Sequence, residues 1–154
     1  MNPQEAETRA RRFFRQGYSC AQSTLAALAP ALGMEDEYAL RLASAFGAGL
    51  GRMRGTCGAF SALSMVAGLC HGNTEGTAAG KERIYTLTRG LADEFRSEFG
   101  TLLCRELLHL KEGETEPARP EERTEAYYAA RPCERCIAFC ARRAAVLLND
   151  KPLS

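Results

Sequence analysis

The sequence predicts an all-α protein, a single-domain bundle of about six or seven helices. Three observations carry that expectation. Apolar residues recur at helical spacing, as in Ile84, Leu87, Leu91 and Phe95, which lie three or four apart and share one helix face. Alternation at strand spacing is scarce. Residues that start and stop helices punctuate the chain, with Asn2-Pro3, Ser19 and Thr101 as starts and Gly17 and Gly33 as stops.

The first helix opens at Asn2-Pro3 and stops at Gly17. Glu5 to Arg9 and Glu7 to Arg11 are four-residue spacings with the acid on the N-terminal side. That order suits ion pairs on a solvated face better than a nucleic-acid patch. The second helix runs from Cys20 towards Leu32, capped by Ser19 and closed by Gly33. Pro30 lies inside it, lacks an N–H and should kink it or end it early. A third helix covers Glu35 to Phe46, with Leu40, Ala43 and Phe46 on one face.

A glycine-rich loop, Phe46-Gly47-Ala48-Gly49-Leu50-Gly51-Arg52-Met53-Arg54-Gly55, leads into the fourth helix, Cys57 to about Leu69. This helix is apolar nearly all round, the pattern of a helix at the centre of a bundle. A polar turn over residues 71–80 precedes a long amphipathic helix from Lys81 to Phe99. Gly90 should weaken it by about 1 kcal/mol relative to alanine and suggests a close helix contact. A shorter helix after Thr101 carries Cys104 and Leu107-Leu108. Residues 111–123, with Gly113, Pro117 and Pro120, read as a mobile loop. Glu121 to Ala130 reads as a short helix, and Cys133 to about Asn149 as the last.

A length of 154 residues suits one domain with a real core. Hydrophobic residues at 45% and charged residues at 25% are ordinary globular values. A formal net charge of +1 supplies no global field to attract nucleic acid or an anionic membrane. The segment Met1–Arg15 is charged and lacks the apolar stretch of a secretory signal. The longest apolar runs are too short for direct membrane insertion. A cytoplasmic chain is expected, where thiols stay reduced. Seven cysteines there point to redox catalysis or metal binding more than to a structural disulfide framework.

Cys57 follows the glycine loop, lies close to Arg52 and Arg54 and opens a helix. A helix start and nearby cations both favour thiolate, the reactive and metal-binding form. Cys57 is therefore the expected activated thiol, against the plainer reading of a tight turn whose arginines face water. Cys20 also stands in a first helical turn, and a small buried hydrophobe is an equal alternative for it. Cys70 ends its helix beside His71, where the partial charge is negative, and reads as structural. Cys104 sits among leucines and reads by pattern as core, with His109 off its face.

Cys133, Cys136 and Cys140 form C-x-x-C-x-x-x-C along one stripe of the last helix. C-x-x-C at a helix start can pair a low-pKa thiol with a resolving one, or supply two metal ligands. The second C-x-x-C of a self-contained zinc site is missing, and Cys140 reads as core. The glycines follow no strand, so phosphate and dinucleotide loops fail on context. Two histidines, both badly placed, and scattered carboxylates argue against hydrolase chemistry.

Cys20, then Cys57-Gly58-Ala59 after a glycine-rich loop, then Cys104 after Phe99-Gly100, then Cys133 opening a final helix resembles the C_GCAxxG_C_C family. Its members are described as redox-active. The resemblance covers roughly Phe13 to Leu148. It implies that the family cysteines fall on Cys20, Cys57, Cys104 and Cys133, with Cys136 a competitor for the last place. Ala62 stands where the motif has glycine. Family members are often encoded near transporter genes, which implies a redox partner or a transport-associated partner. A homo-oligomer is a further expectation.

Two chemistries follow. In the first, a thiol–disulfide oxidoreductase, Cys57 attacks a disulfide or oxidant, and Cys20, Cys104, Cys133 or Cys136 resolves it. In the second, Cys20, Cys57, Cys104 and Cys133 bind zinc or an iron–sulfur cluster, and loop glycines such as Gly49, Gly51, Gly55 and Gly58 donate N–H groups to cluster sulfurs. With no C-x-x-C-H, covalent c-type haem is not expected. A third reading is a helical accessory module whose cysteines pack.

Overall fold

A computed structural model describes residues 1–111, 113–114 and 116–150. Among them are eight α-helices and one short 3-10 turn: α1 (Pro3–Arg15), α2 (Cys20–Leu32), α3 (Asp36–Ala43), the 3-10 turn (Ser44–Phe46), α4 (Gly58–His71), α5 (Ala78–Phe99), α6 (Cys104–Leu107), α7 (Glu125–Ala130) and α8 (Cys133–Asp150). The all-α class is as predicted. Two of the eight, α6 and α7, are short, at four and six residues. None of these helices is long and apolar enough to cross a membrane.

Local chemistry sets the helix ends. The Asn2 side chain accepts from the Glu5 N–H at 2.9 Å, and Pro3 follows at the first helical position, where its missing N–H costs nothing. Ser19 and Gln22 form a reciprocal capping box at the start of α2. Gly33 ends α2 in the left-handed conformation, at φ 69°.

Helix α2 runs through Pro30 to Leu32 rather than ending early. Pro30 cannot bond the Ala26 carbonyl, but Arg9 of α1 does, through Nη2 at 3.2 Å. Arg9 Nε also donates to the Ala27 carbonyl at 3.0 Å, and Nη2 to Asp36 at 2.9 Å. The expected solvated pairing of Glu5 with Arg9 is therefore replaced by this inward role. Glu7 and Arg11 do pair, at 2.9 Å.

Helices α2, α4 and α8 pack on one another; α1 closes over α2 and α8, α3 over α2, and α5 over α4. The core is rich in alanine, with Ala21, Ala26, Ala27, Ala59, Ala62, Ala141 and Ala144 fully buried. Small side chains let helix axes approach closely. Phe95 anchors α5, its ring 5.8 Å from Phe60 of α4 and 6.0 Å from Phe139 of α8. Gly90 lies on exposed helix surface, and a Cβ there would meet nothing within 4 Å. It marks no close helix contact.

The glycine loop is a left-handed coil. Ala48, Gly49, Leu50, Gly51 and Arg52 take φ values of 53°, 71°, 70°, 56° and 62°, and Arg54 takes 61°. Each non-glycine residue there costs roughly 1–2 kcal/mol. Main-chain bonds hold the coil: Gly51 N–H to Ala45 O at 2.7 Å, Arg54 N–H to Ala48 O at 3.1 Å and Gly55 N–H to Gly49 O at 2.8 Å. Residues 111–123 form no helix where described; Glu112 and Thr115 of that loop lie outside the described residues.

Candidate functional site

Four cysteines stand at four helix starts. Cys20, Cys104 and Cys133 are the first residues of α2, α6 and α8, and Cys57 caps α4. Two local devices bring them together. The first is a single antiparallel pairing of Thr56 with Leu103. Cys57 N–H donates to Leu102 O at 2.8 Å, and Cys104 N–H to Gly55 O at 2.7 Å. Side chains alternate along extended backbone, so Thr56 and Leu103 are exposed while Cys57 and Cys104 are buried.

The second device is Gly58. A Cβ there would lie 2.8 Å from the Phe46 carbonyl oxygen and 3.1 Å from the Ala21 nitrogen. Glycine thus lets the start of α4 abut the start of α2, which carries Cys20.

The thiols then pair. Cys20 and Cys133 hydrogen-bond to each other, and Cys57 bonds with Cys136. Arg54 Nη1 donates to Cys104 Sγ at 3.5 Å. The bond from Cys20, with help from Arg131 and Arg54, pushes Cys133 down to about 7 against the effect of burial. The same bond and burial push Cys20 well up. Cys57 is also pushed well up, by its bond with Cys136 and by burial, with the N–H groups of Phe60 and Ala59 pulling the other way. Burial raises Cys104, opposed by Arg54.

Cys133 is thus pushed down, whereas Cys57, the expected activated thiol, is pushed up. The Cys136 bond and burial raise Cys57, and the two arginines expected to offset them are engaged elsewhere. Arg54 holds Glu116, with Nε to Oε1 at 2.6 Å and Nη2 to Oε2 at 3.2 Å. Arg52 reaches Glu116 at 3.2 Å, Glu121 at 3.4 Å and the Pro117 carbonyl at 2.5 Å. Arg131 takes Glu121 at 2.5 Å.

Cys20, Cys104 and Cys133 line a pocket of about 380 Å³ together with Arg52, Arg54 and Arg131. Cys57 and Cys136 are buried and are not part of its wall. Tyr127 is also at the pocket, its ring under Arg131 at 4.2 Å. Residues 116–121 are tied across one side by the arginine–glutamate pairs. Four other depressions, of about 390 to 560 Å³, carry no cysteine.

The residues do not fit the expected zinc or iron–sulfur set of Cys20, Cys57, Cys104 and Cys133. Among the described residues no group of three or more His, Cys, Asp or Glu side chains is arranged to hold a metal ion. Cys57 turns to Cys136 and Cys104 to a buried guanidinium, which repels a metal cation. Gly51 and Gly55 spend their N–H groups on Ala45 and Gly49. Gly49 is closed against the Gly55 and Arg54 backbone, and Gly58 against α2. Cys140 is fully buried core and Cys70 is buried near the end of α4; His109 is exposed.

Arg131, Tyr127, Glu116 and Glu121 stand at the site without having been expected there. Arg131 sits two residues before Cys133 and was visible as a nearby cation. The glutamates were not, because they meet Arg52 and Arg54 from more than sixty residues along the chain.

Comparison with protein families adds one match. Residues 18–147 fit the family described as "Putative redox-active protein (C_GCAxxG_C_C)". Neither curated proteins nor solved structures give a match. The family match spans all four helix-start cysteines and most of the chain, so the protein belongs to the C_GCAxxG_C_C family.

Proposed function

We propose that the protein carries out thiol–disulfide exchange, with Cys133 as the attacking thiolate and Cys20 as the resolving thiol. The observation that carries this reading is the hydrogen-bonded Cys20–Cys133 pair at the pocket wall, with Cys133 lowered to about 7. A thiol with a pKa near ambient pH combines thiolate population with nucleophilicity.

The exchange runs in two steps. Cys133 thiolate attacks one sulfur of a substrate disulfide, forming a mixed disulfide and releasing the other half as a thiolate. Cys20 then loses its proton and attacks Cys133 Sγ. The second substrate thiolate leaves, and a Cys20–Cys133 disulfide remains. The protein dithiol has lost two electrons, and the substrate disulfide has become two thiols. Cys57 and Cys136 form a second, buried pair behind this one, and Arg54 holds Cys104 beside it.

The test is rapid mixing of reduced protein with a small disulfide, followed by acid quench and peptide mapping. Cys133→Ser should abolish the fast phase. Cys20→Ser should stop at the mixed disulfide on Cys133. Cys57→Ser should retain the fast phase. A Cys133 that reacts no faster than a free thiol at neutral pH, or a first adduct on Cys57, overturns the assignment.

A further inference from the structure

Of the arginines around the thiol pair, Arg131 and Arg54 help to lower Cys133, and Arg52 and Arg123 take no part in the exchange described above. Arg52, Arg54, Arg123 and Arg131 all line the pocket. Against four guanidinium groups stand two carboxylates, Glu116 and Glu121. The pocket is therefore a region of net positive charge around two reactive sulfurs. Arg52 and Arg54 have side chains only 10% and 8% exposed. Buried guanidinium groups need acceptors, and Arg is suited to carboxylates because its planar fork matches them.

Glu121 is the replaceable acceptor. The Glu121 side chain is 52% exposed and meets Arg52 and Arg131 from the pocket rim. Its carboxylate is thus the part of these pairs that solvent reaches, and an incoming carboxylate can take its place on the two arginines. The volume of about 380 Å³ falls in the range of small-ligand sites, and the segment 116–121 narrows access to the half-buried Cys20 and Cys133.

We propose that the pocket binds small disulfides carrying carboxylates, which exchange for Glu121 on Arg52 and Arg131. This rests on the exchange reading above. Arg131 and Cys133 line the same pocket, so a carboxylate held by Arg131 brings an S–S bond a few atoms away towards the thiolate. Attack then follows the same two steps, and the substrate leaves as two carboxylated thiols.

A charge series tests this with one S–CH2–CH2 linker: 3,3′-dithiodipropionate as dianion, bis(2-hydroxyethyl) disulfide as neutral and cystamine as dication. Each rate is divided by the rate of the same disulfide with a free thiol. The dianion should be preferred over the neutral compound by about tenfold or more, within the range of electrostatic steering. Added salt should shrink that preference. Arg52→Gln should lower the ratio, and Glu121→Gln should raise it by freeing the arginines. A purely structural loop would not move the two variants in opposite directions.

No preference for the dianion, the same direction for both variants, or rapid exchange with protein disulfides alone overturns the proposal. Fast exchange with the neutral compound and no charge preference would leave the exchange reading standing. Calorimetric binding of 3,3′-dithiodipropionate to Cys133→Ser, with no exchange in the unaltered protein, would keep the anion site and remove the exchange reading.

Discussion

The Cys20 thiol hydrogen-bonds to Cys133, and the one contact shifts the two sulfurs in opposite directions, Cys133 down to about 7 and Cys20 well up. The hydrogen bond stabilises the Cys133 thiolate, and it is lost if Cys20 ionises. Alkylation of Cys133 with iodoacetamide should therefore titrate with a midpoint near 7. Cys20→Ala should move the midpoint up towards the ordinary thiol value of about 8.5. The sign for folding follows. Cys133 is lowered on folding, so its contribution is complete above the unfolded thiol pKa and is lost as pH falls through about 7.

Gly58 sets the approach of α4 to α2. Gly58→Ala places a Cβ 2.8 Å from the Phe46 oxygen and 3.3 Å from the Ala21 Cβ, and the first neighbour is backbone that cannot swing aside. Overpacking of this kind costs about 1–3 kcal/mol. A urea titration should show that loss as a lower midpoint. Cys57 alkylation should speed up as the helix start lifts. A variant as stable as the parent would show that α2 yields without cost.

Much of the fold was legible because its signals are local. The cap at Asn2, the capping box at Ser19 and the left-handed Gly33 each depend on a few adjacent residues. The helix-start position of Cys133 was readable for the same reason. The site was less legible because charge direction is not local. Arg52 and Arg54 precede Cys57 in the chain, yet Glu116 and Glu121 draw them away from it. Gly90 misled in the opposite way, since a small residue at helix spacing can simply face solvent.

Alkaline pH should weaken the fold. Cys20, Cys57 and Cys140 all have raised pKa values. Each keeps its proton in the folded state at pH values where the unfolded chain loses it. Their contribution is complete below the ordinary thiol pKa and declines as pH rises above it. Under reducing conditions the urea midpoint should fall between about pH 8 and pH 10. Cys140 is raised chiefly by burial, so Cys140→Ala should make that fall smaller. A midpoint that stays level across the interval would contradict the assigned shifts.

Arg9 and Pro30 should be energetically coupled although they lie on different helices. Pro30 leaves the Ala26 carbonyl without its helical donor, and Arg9 supplies one at 3.2 Å. Arg9→Ala removes that bond, the bond to Ala27 and the pair with Asp36, and should cost about 1–3 kcal/mol. Pro30→Ala restores an N–H for Ala26. In that background Arg9→Ala should cost less, because one carbonyl no longer depends on it. A double-mutant cycle by urea denaturation should give a coupling of about 1 kcal/mol. The effect of Pro30 on the unfolded chain cancels in the cycle. A coupling near zero would mean that Arg9 acts through Asp36 and Ala27 alone, and that water suffices for the Ala26 oxygen.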